Sequence, residues 1–339
     1  MSARSSSTIP RRSRLIAAPI GLAVLIAAAL GAALGGGGAK PRAVANRMSS
    51  SGELASVSGK RLGVVRMLEL GGAPAGLSAG VDGELWVSLP GAGALVRVGG
   101  QMARVHVGGH PAAIAAGPGG VWVAGSAAGA LARFSPPDAT AVATVQIQSE
   151  PSSLAVDSGD GSVWATIPTG QVTHIDPSGT VIGASATMTP APMSLGVGEG
   201  WVWAVGGPNA GLARVALAPS PLVQTFQMGS ATVGVAFNRG VWTAHSGGHV
   251  TRFDPRPGDL RVNADVPVAP TLDAIAASEG GGAVYAISTR ARSLYRISTG
   301  SARRVTGRVT FTSPPVALAV TDRYVWVATE DGKLSQLVF

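Results

Sequence analysis

A bulky aromatic residue inside a short apolar run recurs seven times along the chain, at Trp86, Trp122, Trp164, Trp203, Trp242, Tyr285 and Trp326, spaced 36 to 43 residues apart. A unit of that length holds about four short strands and cannot bury an apolar face alone, so it needs a copy of itself on either side. The clearest copy runs from His110 to Pro136, HPAAIAAGPGGVWVAGSAAGALARFSP. It reads as a small-residue run behind a proline, a Gly-rich turn, the strand of Trp122, a second Gly-rich turn, and a strand-like run ending Phe134-Ser135-Pro136. Seven such units at a near-constant period predict an all-β, seven-bladed β-propeller of four-stranded blades.

The residue types within each unit fit that ring. Pro74, Pro111, Pro151, Pro192 and Pro315 each open a run rich in Ala, Gly and Ser. The innermost strands converge on the axis, where small side chains fit, and a proline is tolerated where an N–H need not enter a ladder. Asp82-Gly83, Gly119-Gly120 and Asp160-Gly161 then supply the positive φ of tight hairpins. The aromatic residue is large enough to fill the wedge that widens between blades. Third strands end in related corners, Arg133-Phe134-Ser135-Pro136, His174-Ile175-Asp176-Pro177 and Arg252-Phe253-Asp254-Pro255. The segment Leu62 to Leu70 has no inner strand before it, and the chain stops directly after Leu334 to Phe339. The N-terminal strand is therefore expected to complete the seventh blade and remove a free sheet edge.

The rest of the chain divides by composition. Residues 1–14 are polar and basic, and 15–36 form an uncharged apolar stretch about as long as the roughly 20 residues that cross a bilayer. Residues 37–60 read as a flexible linker and 61–339 as the propeller. Arginines precede the apolar stretch, which puts the N-terminus in the cytoplasm and the propeller outside. The stretch reads as a retained transmembrane helix, or as a signal segment cleaved near Ala29-Leu30-Gly31 or Ala33-Leu34-Gly35 to give a secreted protein. The formal net charge of +8 comes largely from Arg4, Arg11, Arg12, Arg14, Lys40, Arg42 and Arg47, all ahead of the first acid, Glu53. The folded body is nearly neutral, which argues against nucleic acid as a partner. One basic run remains, with arginines at 290, 292, 296, 303, 304 and 308. It reads as a solvated blade edge, or as a contact for phospholipid headgroups or an acidic polymer. The absence of cysteine excludes disulfides, thiolate chemistry and a lipidated-Cys anchor.

The units resemble those of bacterial NHL and YVTN-type propellers and of streptogramin-lyase-like propellers. These share P-x-x-(I/L)-A followed by G-x-(V/L)-W-(V/F), carried here by Pro111 to Ala115 and Gly119 to Val123. The resemblance covers residues 61–339 and implies the fold. It does not imply one activity, because such propellers include binding modules, lactonases, lyases and sensor domains. Streptogramin lyases carry a His directly after the proline of the repeat and a Glu three residues after its Trp. In this chain those positions hold Ala75, Ala112, Ser152, Met193, Val233, Asp273 and Val316, and Leu89, Gly125, Ile167, Gly206, His245, Ser288 and Thr329. The His/Glu set of the lyases is missing, so their activity is not expected.

Other catalytic signatures are also missing. Gly76-Leu77-Ser78-Ala79-Gly80 spells G-x-S-x-G, but it lies on an innermost strand in register with Ala112 to Ala116, not at a strand-to-helix elbow. What remains is a thin polar set at the expected mouth: His110, Glu150, His245 and Asp273, with Glu330 one residue out of register. Two imidazoles and two carboxylates suit ligand binding, a divalent cation or acid–base chemistry. They are also what a solvated mouth collects. Asp273 and His245 come from adjacent blades and are expected to meet at one rim and share a proton or a ligand. The Trp series is expected to be core, and His174 to serve packing or the surface. The sequence thus points to an extracytoplasmic, membrane-anchored, non-enzymatic module for a protein, peptide or envelope polymer, with no cofactor. A metal-dependent hydrolase or lyase with its site at the mouth is the alternative.

Overall fold

The computed structural model describes residues 62–338 except 82, 126–129, 136–139, 148, 186, 207–210, 217–222, 257–258 and 278–280. The expected cytoplasmic tail, apolar segment and linker lie outside the described residues. Among the described residues no helix is long and apolar enough to cross a membrane.

Among the described residues, twenty-eight strands form seven separate four-stranded antiparallel sheets. Blade 1 contains β2 (Gly76–Ala79), β3 (Leu85–Leu89), β4 (Ala94–Val98) and β5 (Met102–His106). Blade 2 contains β6 (Ile114–Gly117), β7 (Gly120–Ala124), β8 (Ala130–Ser135) and β9 (Thr140–Gln146). Blade 3 contains β10 (Ser153–Val156), β11 (Val163–Thr166), β12 (Val172–Ile175) and β13 (Val181–Ala184). Blade 4 contains β14 (Pro192–Gly198), β15 (Trp201–Gly206), β16 (Leu212–Ala216) and β17 (Val223–Phe226). Blade 5 contains β18 (Thr232–Phe237), β19 (Val241–His245), β20 (His249–Arg256) and β21 (Asp259–Pro267). Blade 6 contains β22 (Ala274–Ala277), β23 (Ala283–Ser288), β24 (Ser293–Ser298) and β25 (Val305–Thr310). Blade 7 contains β26 (Pro315–Val320), β27 (Val325–Thr329), β28 (Lys333–Val338) and, outermost, β1 (Gly63–Glu69). Joining the first strand to the last closes the ring as the sequence predicts, with Gly63 opposite Val338 and Glu69 opposite Lys333.

The repeated aromatic residue sits at the same place in every second strand and is buried in all seven blades. Each one packs against the next blade: Trp86 against Ile114 and Val121, Trp164 against Leu195 and Val202, Trp203 against Val241 and Phe253. Opposite it on the third strand stands a long polar residue: Arg97, Arg133, His174, Arg214, Arg252, Arg296 or Gln336. Two of these lie along the ring they face. His174 stacks on Trp164 with centroids 3.9 Å apart, and the Arg133 guanidinium lies 5.7 Å from the Trp122 ring.

The innermost strands depart from the expected small-residue rule. They also carry Ile114, Val156, Val235, Phe237 and Ile275, and each is met by a glycine on the strand before it. A Cβ on Gly117 would lie 2.3 Å from Val156, and one on Gly198 would lie 2.5 Å from the Phe237 ring. Convergence at the axis limits the summed volume of facing residues, so a large side chain is admitted where its neighbour has none.

The third-strand corners also diverge. In blade 3, β12 ends at Ile175, and the Asp176 carboxylate accepts the N–H groups of Ser178 and Thr180 at 2.9 and 2.8 Å, which folds the turn. In blade 5 the Asp254 carboxylate pairs with Arg252 at 2.7 Å, and β20 runs on through Pro255 and Arg256 against β21. The resulting long hairpin projects beside blade 4.

Candidate functional site

The connections from each outermost strand to the next innermost strand, and from each second strand to the third, gather at one face of the ring. His110 lies on the connection from β5 to β6 and Glu150 on that from β9 to β10, and both are exposed. The structure brings these two together around Gly125, which follows β7. The His110 carbonyl and the Glu150 carboxylate lie only 2.3 and 2.5 Å from where a Cβ on Gly125 would sit. The His110 N–H also donates to the Gly125 carbonyl at 2.7 Å. Gly125 has φ of +84° and is the residue three beyond Trp122, so glycine there is what lets the two connections close over the rim.

The expected His245–Asp273 pair does not form. His245 ends β19 and is 4% exposed. Its Nδ1 lies 3.3 Å from Thr232 Oγ1 and its Nε2 lies 3.0 Å from Thr243 Oγ1. Burial pushes this imidazole below its ordinary range, opposed by a backbone hydrogen bond at Ser230 and by Asp265. Asp273 is half-buried on blade 6, where its Oδ2 accepts the Thr289 N–H at 2.7 Å. Strand alternation explains the separation. Val241, Thr243 and His245 face blade 4, whereas Trp242 and Ala244 face blade 6. Glu330 is exposed, with its N–H bonded to the Pro314 carbonyl at 2.9 Å. Among the described residues, no group of three or more His, Cys, Asp or Glu side chains is placed to hold a metal ion.

His245 belongs instead to a groove of about 880 Å³ between blades 4 and 5, which the sequence reading missed. Its blade 5 wall is the long β20–β21 hairpin. There Thr251 Oγ1 donates to Asp265 Oδ1 at 2.9 Å, and His249 Nδ1 lies 3.1 Å from Asp265 Oδ2. Below them Phe253, Leu260 and Val262 make an apolar stretch ending at Asp259. The blade 4 wall is Phe226 and Met228. Behind Phe226 the Arg214 guanidinium is 2% exposed, sandwiched 4.5 Å from the Trp201 ring and 5.3 Å from Phe226. Its Nε and Nη2 donate to Gln224 Oε1 at 2.9 and 2.7 Å. The signal in the sequence was His249, four residues after His245 across a tight turn and two before Thr251.

A second space, about 580 Å³, opens at the other face of the ring, beside Phe237, Asn238, Arg239 and Glu199. The Glu199 carboxylate accepts the Gly240 N–H at 2.9 Å.

No family model matches the chain, and no curated protein matches it. Solved structures do. Virginiamycin B lyase from Staphylococcus aureus superposes with a TM-score of 0.69 at 16% identity, covering 82% of this chain and 99% of that one. A chain of Kuenenia stuttgartiensis hydrazine synthase gives 0.68 at 12% identity, covering 79% and 96%, and one from a mitotic checkpoint complex gives 0.69 at 13%, covering 81% and 94%. An enzyme and a regulatory assembly match equally well, so the likeness speaks to architecture and not to activity. The chain is a seven-bladed β-propeller whose solved structural neighbours include the streptogramin B lyases.

Proposed function

We propose that this protein is an extracytoplasmic, membrane-anchored propeller that works as a non-enzymatic binding module for a protein, peptide or envelope polymer. One observation carries the reading: the two titratable residues in the registers where streptogramin lyases bear their His and Glu are occupied by structural hydrogen bonds. Asp273 holds the Thr289 N–H, and His245 lies between two threonine hydroxyls. Neither is placed to act on the other. His110 and Glu150 remain exposed on neighbouring connections and are suited to contact a macromolecule at the rim. The anchoring and its orientation rest on the basic residues 1–14 and the apolar residues 15–36.

Site-specific photo-cross-linking in cells tests the binding role. A benzophenone side chain replacing His110 or Glu150 is expected to yield discrete adducts, and one replacing Arg239 at the opposite face is not. A divalent cation that raises the melting temperature and supports turnover would overturn the reading in favour of a metal-dependent hydrolase or lyase. A reporter fused after Phe339 is expected to be active outside the cytoplasm, with the protein in the membrane fraction at high salt. A soluble form beginning near residues 32–36 would replace anchoring with secretion.

A further inference from the structure

The groove between blades 4 and 5 goes beyond the rim and does not depend on the reading above. Its volume, about 880 Å³, lies within the roughly 300–1,000 Å³ of small-molecule sites. Its walls are of two kinds. Phe226 and Met228 on one side face Phe253, Leu260 and Val262 on the other, and Val262 is 58% exposed. Fixed charge is of one sign, because the carboxylates of Asp259 and Asp265 line the groove and, among the described residues, no Lys or Arg does. The buried Arg214 guanidinium lies against Phe226, is engaged by Gln224 and interacts with Asp259, which leaves Asp265 as the carboxylate open to a cationic ligand.

Asp265 is the better placed of the two carboxylates. Thr251 and His249 each engage one oxygen, which orients the group and leaves lone pairs for another donor. Its side chain is 53% exposed, so a ligand reaches it without opening the fold. Along the hairpin the apolar stretch of Phe253, Val262 and Leu260 begins directly beyond Asp265. A ligand with one ammonium and an apolar body matches this order of surfaces, whereas a carboxylate or phosphate meets like charge.

We propose that this groove is a binding site for a small amphiphilic amine, with its ammonium on Asp265 and its apolar body between Phe226 and the Phe253–Leu260 stretch. Three probes of one shape separate the contributions: 4-phenylbutylamine, 4-phenylbutanol and 4-phenylbutyrate, titrated calorimetrically into the full-length chain. The amine is expected to bind measurably more tightly than the alcohol, and the acid not at all. Asp265→Asn keeps the shape and an acceptor for Thr251, and is expected to weaken the amine about fivefold while leaving the alcohol unchanged, a partly exposed charge pair being worth little more. Leu260→Lys, which places a cation in the groove, is expected to abolish amine binding without moving the melting temperature by more than about 2 °C. Equal binding of amine and acid, amine binding insensitive to both variants, or no amine binding to the folded wild-type chain each overturns the site. None of these results bears on the macromolecular adducts at the rim.

Discussion

The wedge between blades 7 and 1 and the wedge between blades 4 and 5 are the same place in the repeat, filled differently. In the first, Leu89 points from β3 toward blade 7 and is fully buried with Leu68, Leu70, Trp326 and Leu334. In the second, His245 occupies the matching position on β19, bonded to threonine hydroxyls, and a groove remains beside it. An aliphatic residue three beyond the aromatic closes the wedge onto the neighbouring blade. A polar residue there needs partners within reach, and His245 finds them on its own blade in Thr232 and Thr243. The ring thus has one wedge closed by aliphatic packing and another that keeps a groove.

The largest test removes the closure itself. Deleting residues 61–71 takes away β1 with the buried Leu68 and Leu70, for which Leu→Ala alone costs about 2–5 kcal/mol each. Loss of the cooperative thermal transition is the expected outcome, against an unchanged melting temperature on deleting 39–59. Equal effects from both deletions would refute closure by β1.

A reciprocal exchange comes next. Leu89→His buries an imidazole among aliphatic side chains and is expected to cost about 3 kcal/mol or more in chemical denaturation. His245→Leu keeps the bulk but removes a partner from the buried Thr232 and Thr243 hydroxyls, and is expected to cost less, about 1–2 kcal/mol. Similar losses at the two sites would erase the distinction between the wedges.

Gly125 is a third filling of that register. Gly125→Ala forces a side chain into positive φ and onto the His110 carbonyl, at an expected cost of about 1–3 kcal/mol. Gly91→Ala, where nothing lies within 4 Å, is expected to change stability by less than about 0.5 kcal/mol.

The smallest effect is a pH dependence. His245 and His174 are both held below the ordinary imidazole value of 6.5, chiefly by burial, so the unfolded chain takes up protons that the folded chain does not. Their contribution to stability is full above pH 6.5 and declines as pH falls from there toward the lower folded-state values. His245→Leu is expected to flatten part of that slope. An unchanged slope would mean that the open wedge already admits enough water to solvate the charged ring.

Much of this fold was legible one repeat at a time. The spacing of the aromatic residues, the glycine and proline punctuation and the missing inner strand before Leu62 are local facts, and each blade is a local object. The candidate site was less legible. His110 and Glu150 do meet, because both lie on connections that cross the same rim. His245 and Asp273 do not, because a register shared along the sequence says which strand a residue is on but not which neighbouring blade it faces. The groove arises where Asp254 pairs with Arg252 and the blade 5 hairpin runs on, whereas Asp176 turns the chain in blade 3. A sequence corner of one type, His174 to Pro177 or Arg252 to Pro255, accommodates both outcomes.

The sequence by itself determined the number of blades, the strand order within each and the closure by the first strand. Those features follow from the period and from the need of every unit to cover its apolar face with the next. Only the tertiary structure decided which polar residues are occupied and which are free, and which wedge stays open. Those features depend on distances between neighbouring blades, such as Gly117 to Val156 and Gly198 to Phe237. They are set by how the volumes of facing blades add up around the axis, a quantity no single repeat contains.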